Sequence, residues 1–288
     1  MTGDLRQKPQ WFAFIETFGI DMASVTPHIS PLETPKALLA PVQEVFSSVQ
    51  GEGPYIGLRQ VFVRFAHCHL KCAYCDTPME TPTGQCHVES IPNQGHQYRL
   101  ENPLAPEALF EAVERLLDAM PHHSVSFTGG EPLLYHRFLA DFMPKIRPLA
   151  KTYLETSGTQ AEFLAAVLSA TDIIAMDIKL PSSTLEAERF AEHKTFYELA
   201  KTSPKTALFI KLVFNNQTTL EEMAAVVDIV SHRQTPVILQ PESTLYPKPG
   251  GALVNVDARH MARLQSYLCR YYSDVRIIPQ SHKMLRVL

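Results

Sequence analysis

The feature that most constrains the fold is a regular alternation of short apolar segments and amphipathic segments from about residue 60 onward. The apolar segments are predicted to be strands, and the segments between them have the spacing of helices. Such an alternation predicts parallel strands joined by crossover helices, in an α/β partial (incomplete) TIM-like β/α barrel. An open doubly wound sheet is the alternative, but no G-x-G-x-x-G run follows a strand. The seven predicted strands are QVFVRF (60–65), SVSFT (124–128), TYLET (152–156), IIAMDIK (173–179), LFIKLVF (208–214), VILQ (237–240) and VRII (275–278).

The chain has 288 residues, 45% of them hydrophobic, which is enough for one large buried core. The organisation predicted is an N-terminal extension over residues 1–43 and a single domain over residues 44–288. Residues 78–104 are polar and rich in proline, and we expect them to form a long insertion or loop.

The composition excludes several classes of function. A formal net charge of −4 argues against a non-specific nucleic-acid binder, which needs a clustered basic surface. No apolar run reaches the roughly 20 residues of a membrane helix, and the N-terminus lacks the apolar region of a signal peptide. We therefore expect a cytoplasmic protein without membrane or nucleic-acid partners. Three of its five cysteines lie within eight residues, which in that compartment indicates metal binding and not disulfides.

Polar or glycine-rich motifs follow six of the seven predicted strands. Because the carboxyl ends of parallel strands open at one mouth, these motifs are expected to line one site. They are the cysteine loop after residue 65, Gly129-Gly130-Glu131-Pro132, Thr156-Ser157-Gly158, Asp177-Ile178-Lys179, Gln240-Pro241-Glu242-Ser243 and Pro279-Gln280-Ser281-His282-Lys283.

The cysteine loop has the spacing C-x3-C-x2-C, formed by Cys68, Cys72 and Cys75. Three thiolates in a tight loop can bind three corners of a [4Fe–4S] cluster, which normally takes four protein ligands. One iron is then left open, and S-adenosylmethionine (SAM) can bind it through its amino and carboxylate groups. An electron from the reduced cluster would cleave the sulfonium bond and give a 5′-deoxyadenosyl radical.

A structural zinc site is the competing interpretation of the triad, with His67, His69 or His87 as fourth ligand. It would make the protein a non-catalytic zinc or iron–sulfur module. Structural zinc sites usually pair two C-x2-C knuckles, and the sequence has no second pair. The remaining thiols, Cys86 and Cys269, are expected to be ordinary cysteines, and Cys269 to be half-buried in a helix.

The C-x3-C-x2-C triad and the GGEP run together resemble the radical SAM superfamily over nearly all of residues 44–288. Within it, EVFSSVQGEGPYIGLRQVFVRF, the CDT after the triad, ETSGT and PQSHK look like the 7-carboxy-7-deazaguanine synthase family. That resemblance implies rearrangement of 6-carboxy-5,6,7,8-tetrahydropterin to 7-carboxy-7-deazaguanine with loss of ammonia, in queuosine and deazapurine biosynthesis. It also implies a [4Fe–4S] cluster, SAM and Mg²⁺ as cofactors, a homodimer, and a flavodoxin-like or ferredoxin-like electron donor.

The resemblance assigns roles residue by residue. The residues implied for the pterin substrate are Val49, Gln50, Gly51, Arg64, Thr128, His282 and Leu288. Those implied for SAM are Tyr74, Cys75, Asp76, Gly129, Gly130, Glu131, Ser157, Asp177, Lys179, Gln240, Pro241, Glu242 and Ser243. The metal ligands implied are Cys68, Cys72 and Cys75 for the cluster and Thr77 for Mg²⁺.

Two departures leave alternatives open. The loop contains Ala66-His67-Cys68-His69-Leu70 where the family commonly has Gly-Cys-Asn, and the insertion exceeds the compact members. A relative that acts on another pterin or purine-like molecule is therefore an alternative. A glycyl-radical activase has the same triad, but the QGEG, CDT and PQSHK runs favour the small-molecule enzyme.

Overall fold

The computed structural model describes residues 38–77, 84–243, 256–285 and 287. Most of the predicted extension, residues 78–83 of the insertion, and Leu288 lie outside the described residues. The described part of the chain forms one mixed sheet with helices packed along it. Its strands are β1 (Val42–Val49), β2 (Arg59–Phe65), β3 (Gln85–Val88), β4 (Tyr98–Glu101), β5 (Ser124–Gly129), β6 (Lys151–Thr156), β7 (Ile173–Asp177), β8 (Ala207–Phe214), β9 (Val237–Pro241) and β10 (Val275–Ile277).

The strand order is β10-β9-β8-β7-β6-β5-β2-β1-β3-β4, so β10 and β4 are the two edges of an unclosed sheet. The seven strands predicted from the alternation are β2 and β5 to β10, and neighbouring members of this set pair in parallel. The partial β/α barrel predicted from the sequence is confirmed.

The crossover helices cover the outer face of the sheet. α1 begins at Pro106, where a missing N–H costs nothing, and it buries Leu109, Val113 and Leu116 against the sheet. None of the helices in the described residues is long and apolar enough to cross a membrane. The helices are α1 (Pro106–Ala119), α2 (His136–Ile146), α3 (Ala161–Val167), α4 (Pro181–Thr184), α5 (Phe190–Ala200), α6 (Leu220–Ile229), α7 (Ala258–Leu268) and α8 (Ser281–Leu285).

Three strands were not predicted from the sequence. β1 pairs antiparallel with β2, and β3 pairs in parallel with β1 and antiparallel with β4. The loop expected within residues 78–104 is therefore wrong for 85–88 and 98–101, which extend the sheet as β3 and β4. β3 and β4 have only four residues each and carry polar side chains, so their apolar signal is weak. β3 is stabilised by pairing with β1, about 40 residues away in sequence, and β4 is stabilised by pairing with β3.

Inside the curved sheet, alternate side chains of each strand point into the lumen. The lower layer is an apolar cluster of Tyr153, Ile173, Ala175, Phe209 and Ile238. Two residues further along the same strands, the inward side chains become polar. This upper layer includes Glu155 on β6, Asp177 on β7, Lys211 on β8 and Gln240 on β9. The period of two thus places an apolar floor directly beneath a charged chamber.

The turn between β1 and β2 closes the bottom of the lumen. The Tyr55 ring packs edge-on against Tyr153 with centroids 5.7 Å apart, and it contacts Phe209 at 6.1 Å. Gly53 has φ of +65°, and an added Cβ would lie 2.7 Å from the Phe209 ring. Only glycine therefore allows the chain to turn this tightly against the Phe209 ring.

The floor is expected to contribute strongly to stability. Phe209→Ala removes a ring that is 2% exposed and leaves a cavity, so the free energy of unfolding should fall by about 3–5 kcal/mol. Urea unfolding of Leu149→Ala is the control, because Leu149 is 51% exposed and should change stability by less than about 0.5 kcal/mol. Equal losses in the two variants would contradict the role of the floor.

Candidate active site

A cavity of about 440 Å³ opens above the charged chamber, where the carboxyl ends of the strands meet. Its wall includes side chains from the cysteine loop, from the ends of β5, β6, β7 and β9, and from the C-terminal segment. Most of the residues that line this wall are polar or charged, whereas the floor below is apolar. The arrangement suits a polar ligand held above a dry base.

Cys68, Cys72 and Cys75 all border this cavity. Burial raises the pKa of the Cys68 thiol to about 11, and burial also raises the pKa of Cys72. In the described residues, no three His, Cys, Asp or Glu side chains converge as ligands of a single ion. A [4Fe–4S] cluster does not require such convergence, because each of the three thiolates binds a different iron. The three cysteines therefore need only border the same cavity. The donor set and its placement fit a three-cysteine [4Fe–4S] cluster.

Gly129 ends β5 and Gly130 follows it, and both lie against the start of the cysteine loop. Gly129 has φ of +109°, and an added Cβ would lie 2.4 Å from the Phe65 carbonyl oxygen. A Cβ on Gly130 would lie 1.8 Å from the carbonyl oxygen of His67. Neither position has space for a side chain, so the two glycines allow the loop and β5 to approach closely.

Glu131 has a different place from the one implied by the sequence. It does not line the cavity and is completely buried. One carboxylate oxygen accepts hydrogen bonds from the Leu133 N–H at 3.1 Å and the Thr156 hydroxyl at 2.8 Å. The other accepts from the Ser157 N–H at 2.7 Å. Glu131 therefore joins the glycine turn (residues 129–132) to Thr156 and Ser157 at the end of β6, and its carboxylate does not face the cavity.

A chain of charges runs from the cysteine loop into the chamber. The Lys179 ammonium lies 2.6 Å from Asp177 Oδ2 and donates to the Tyr74 hydroxyl at 3.1 Å. Asp177 Oδ1 lies 3.2 Å from the Lys211 ammonium, which also pairs with Glu52. Although burial opposes charge on both lysines, Asp177 raises the pKa of each well above its ordinary value. Both therefore stay cationic.

Glu52 is the acidic end of this chain. One of its oxygens accepts from the side-chain amides of Gln280 at 2.6 Å and Gln240 at 3.2 Å, and the other pairs with Lys211. Burial alone would favour the neutral acid, but the charge and hydrogen bond of Lys211 outweigh it and hold the pKa of Glu52 at about 2.

Glu155, on the neighbouring strand β6, is a second acidic centre of the chamber. It accepts from the Gln50 amide at 2.9 Å, the Thr128 hydroxyl at 2.7 Å and the Ser126 hydroxyl at 3.2 Å. The Gln50 amide also donates to Gln60 and accepts from the Glu52 N–H. These bonds fix the side chains of Gln50 and Thr128 at the cavity wall.

Arg64 points from β2 into the cavity, beside the inserted strands. Its Nε lies 2.6 Å from Glu44 Oε1, and its guanidinium covers the Phe46 ring at 5.7 Å from the centroid. Glu44 Oε2 in turn lies 3.2 Å from His96 Nε2, on the segment between β3 and β4. The insertion thus supports the carboxylate that orients Arg64.

The C-terminal segment closes one side of the cavity. The Ser281 N–H donates to the Gly51 carbonyl at 2.9 Å, and a Cβ on Gly51 would lie 2.1 Å from His282 Nδ1. Lys283 forms an ion pair with Asp76 of the cysteine loop at 2.7 Å. The contact requires a glycine at position 51, and it places His282 at the cavity wall.

The structure brings the predicted site residues together at one cavity, apart from Glu131 and from Leu288, which lies outside the described residues. Several wall residues were missed. Lys211 and Glu155 had a usable signal, since each is the one charged residue of its predicted strand. The missed residues are Glu44, Phe46, Glu52, Phe62, Leu70, Glu155, Lys211 and Val213. Thr156, Gln280 and Lys283 also line the cavity, and they belong to strand-end motifs that were expected there without individual roles.

The proposed fourth ligands of a zinc site do not line the cavity. His67 pairs with the Tyr135 hydroxyl at 2.9 Å, and His69 pairs with the Thr159 hydroxyl at 2.9 Å. Cys86 is completely buried in the apolar core on β3. Cys269, expected to be half-buried, is exposed because it follows the last turn of α7. The geometry thus gives the zinc interpretation no support.

Comparison with known proteins decides the family. Residues 62–205 match the Radical SAM superfamily. A 7-carboxy-7-deazaguanine synthase from Geobacter sulfurreducens is 41% identical over 254 residues, which cover 85% of this chain and 97% of the relative. The chain belongs to the 7-carboxy-7-deazaguanine synthase family. The enzyme of that name from Archaeoglobus fulgidus is 32% identical, again over 85% of this chain and 97% of the relative.

A solved structure supports the fold. QueE from Escherichia coli superposes with a TM-score of 0.53 at 18% identity, covering 84% of this chain and 94% of that one. This likeness shows the partial barrel alone. Membership of the radical SAM superfamily makes the chain a radical SAM enzyme, with a [4Fe–4S] cluster and SAM as its cofactors.

The close contact at Gly130 predicts a specific defect. Gly130→Ala should push the His67 carbonyl away, displace Cys68 and lower stability by about 1–3 kcal/mol. Less iron should bind per chain after anaerobic reconstitution. Gly84→Ala is the matched control, because no atom lies within 4 Å of its added Cβ. Equal iron contents in the two variants would refute the steric argument.

Glu52 predicts a pH dependence with a defined sign. Its pKa is about 2 in the folded protein against an ordinary 4.5, so its stabilising contribution is complete above pH 4.5 and is lost as the pH falls towards 2. Glu52→Gln should therefore cost roughly 3 kcal/mol near pH 6 and progressively less below pH 4.5. Lys211 keeps Asp177 as a partner in this variant. Chemical unfolding of both proteins from pH 6 to pH 3 measures the difference, and a constant difference would contradict the assignment.

Proposed function

We propose that this enzyme converts 6-carboxy-5,6,7,8-tetrahydropterin to 7-carboxy-7-deazaguanine with loss of ammonia, as a 7-carboxy-7-deazaguanine synthase. One observation carries the proposal: Arg64, the Gln50–Glu155 pair and the three cysteines border the same cavity. The family membership supports the same substrate.

The substrate carries one carboxylate and a pterin ring with several N–H groups. The Arg64 guanidinium suits the carboxylate, since it is held in place by Glu44 and the Phe46 ring. Glu155 and Glu52 are fixed acceptors, to which ring N–H groups can donate. We assign Val49, Gln50, Gly51, Thr128 and His282 to the same wall.

The opposite wall suits the cofactor. The residues that we assign to SAM are Tyr74, the glycine turn, Ser157, Asp177, Lys179 and residues 240–243. Glu131 supports this wall indirectly, because its carboxylate accepts a hydrogen bond from the Ser157 N–H. When bound, the cluster and SAM supply the radical that starts the reaction. The apolar floor keeps water from the base of the chamber. Mg²⁺ fits beside Thr77, because a hard cation prefers oxygen ligands.

Other features follow from the family resemblance. We propose a cytoplasmic homodimer that receives electrons from a flavodoxin-like or ferredoxin-like protein. We also propose that residues 44–288 form the radical SAM domain, with residues 1–43 as an extension and about 78–104 as an insertion.

A product assay tests the function. The anaerobically reconstituted enzyme, incubated with the carboxytetrahydropterin, SAM, Mg²⁺ and a reductant, should form 7-carboxy-7-deazaguanine and ammonia, both measurable by chromatography. Cys68→Ala should form neither and should not cleave SAM. Arg64→Gln should keep the cluster but raise KM for the pterin by about tenfold or more, since a charge-assisted bond is lost.

The outcomes separate two levels of the proposal. SAM cleavage without the deazaguanine product would refute the substrate assignment. SAM cleavage by Cys68→Ala would refute the assignment of the cluster ligand.

A further inference from the structure

His193 is a completely buried histidine on α5 that does not line the cavity. Both of its ring nitrogens make hydrogen bonds. Nδ1 lies 2.9 Å from the carbonyl oxygen of Gly158, and Nε2 lies 3.0 Å from the backbone nitrogen of Lys179. One imidazole therefore joins the residues that follow β6 to those that follow β7.

The two partners fix the tautomer. The Lys179 N–H can only donate, so Nε2 must be the acceptor, and the Gly158 carbonyl can only accept, so Nδ1 carries the proton. Burial lowers the pKa of His193 to about 4, which agrees with this neutral form at physiological pH. A protonated imidazole carries a proton on both ring nitrogens, so it could not accept the hydrogen bond from the Lys179 backbone N–H.

Both partners sit in motifs that face the cavity. Gly158 has φ of +67°, and an added Cβ would lie 2.8 Å from the Met176 side chain, so the turn after Ser157 has little freedom. Lys179 carries the ammonium that contacts Asp177 and Tyr74. A shift of either backbone segment would move Ser157 or the Lys179 ammonium relative to the cysteine loop.

We propose that His193 is a positioning residue for SAM, because its two hydrogen bonds fix the Ser157 turn and the Lys179 backbone relative to each other at the cofactor side of the cavity. This inference rests on the SAM-binding roles proposed for Ser157 and Lys179. It does not depend on which molecule is rearranged.

Three variants separate the two bonds. His193→Asn keeps a donor near Nδ1 for the Gly158 carbonyl but loses the acceptor for Lys179. His193→Gln can place its side-chain oxygen near Nε2 and accept from Lys179, but it loses the donor to Gly158. His193→Phe keeps a ring of similar size and loses both bonds.

The matched control lies on the same helix. The Tyr197 hydroxyl makes a buried hydrogen bond with Thr235 at 3.0 Å and also accepts from the His232 N–H, and neither partner lines the cavity. Tyr197→Phe therefore removes buried polar contacts of α5 without touching the strand-end motifs. It should lower stability but leave SAM binding unchanged.

The measurement is the dissociation constant of SAM, determined by equilibrium dialysis on reconstituted protein, with the melting temperature recorded in parallel. His193→Phe should bind SAM about tenfold or more weakly, and the Asn and Gln variants should lie between it and wild type. If His193→Phe does not fold, the Asn and Gln variants carry the test. The inference is overturned if all folded His193 variants bind SAM within about twofold of wild type, or if Tyr197→Phe weakens binding equally.

Ser157→Ala and Lys179→Met distinguish this inference from the assignments on which it rests. If neither weakens SAM binding, the proposed roles of Ser157 and Lys179 are wrong. If they weaken it and the His193 variants do not, only the positioning role of His193 fails.

Discussion

The buried ammonium of Lys211 is the interaction on which the chamber depends. A lysine inside a barrel lumen is costly unless it is paired, and here Glu52 and Asp177 both contact it. Glu52 comes from the turn after β1 and Asp177 from β7, so the pair joins the closing turn to the barrel wall. Asp177 also accepts a hydrogen bond from the Lys179 ammonium, which in turn donates to the Tyr74 hydroxyl. The position of the cysteine loop is thus coupled to the charge at the centre of the lumen.

Close backbone approach is the second constraint, and glycines provide it. Gly130 meets the cysteine loop, Gly51 meets the C-terminal segment, and Gly158 meets the end of β7. These contacts leave no room for a Cβ, so the strand-end motifs are packed as one layer. Because the layer is dense, a hydrogen bond such as that from the Ser157 N–H to the Glu131 carboxylate can fix the position of residues that themselves face the cavity.

The sequence predicts the parallel part of the sheet well, because each of those strands is an apolar segment between two helical patterns. It also predicts most of the cavity wall, since parallel strands open at one mouth. β3 and β4 were not predicted because each has only four residues of mixed polar and apolar character, which give a weak pattern. β3 depends on pairing with the distant β1, and β4 on pairing with β3. The role of His193 was not predicted either, because a single histidine in a helical pattern gives no sign that its two ring nitrogens contact two separate turns.

The polar groups of the cavity are organised around two acids on neighbouring strands, Glu155 on β6 and Asp177 on β7. Glu155 accepts hydrogen bonds from Gln50, Thr128 and Ser126. Asp177 forms ion pairs with Lys179 and Lys211. Glu52 connects them, because its backbone N–H bonds to Gln50 while its carboxylate pairs with Lys211. A group bound against Glu155 and one bound against Lys179 would therefore meet above the same turn. The turn that closes the bottom of the barrel thus also fixes the relative placement of the two halves of the site.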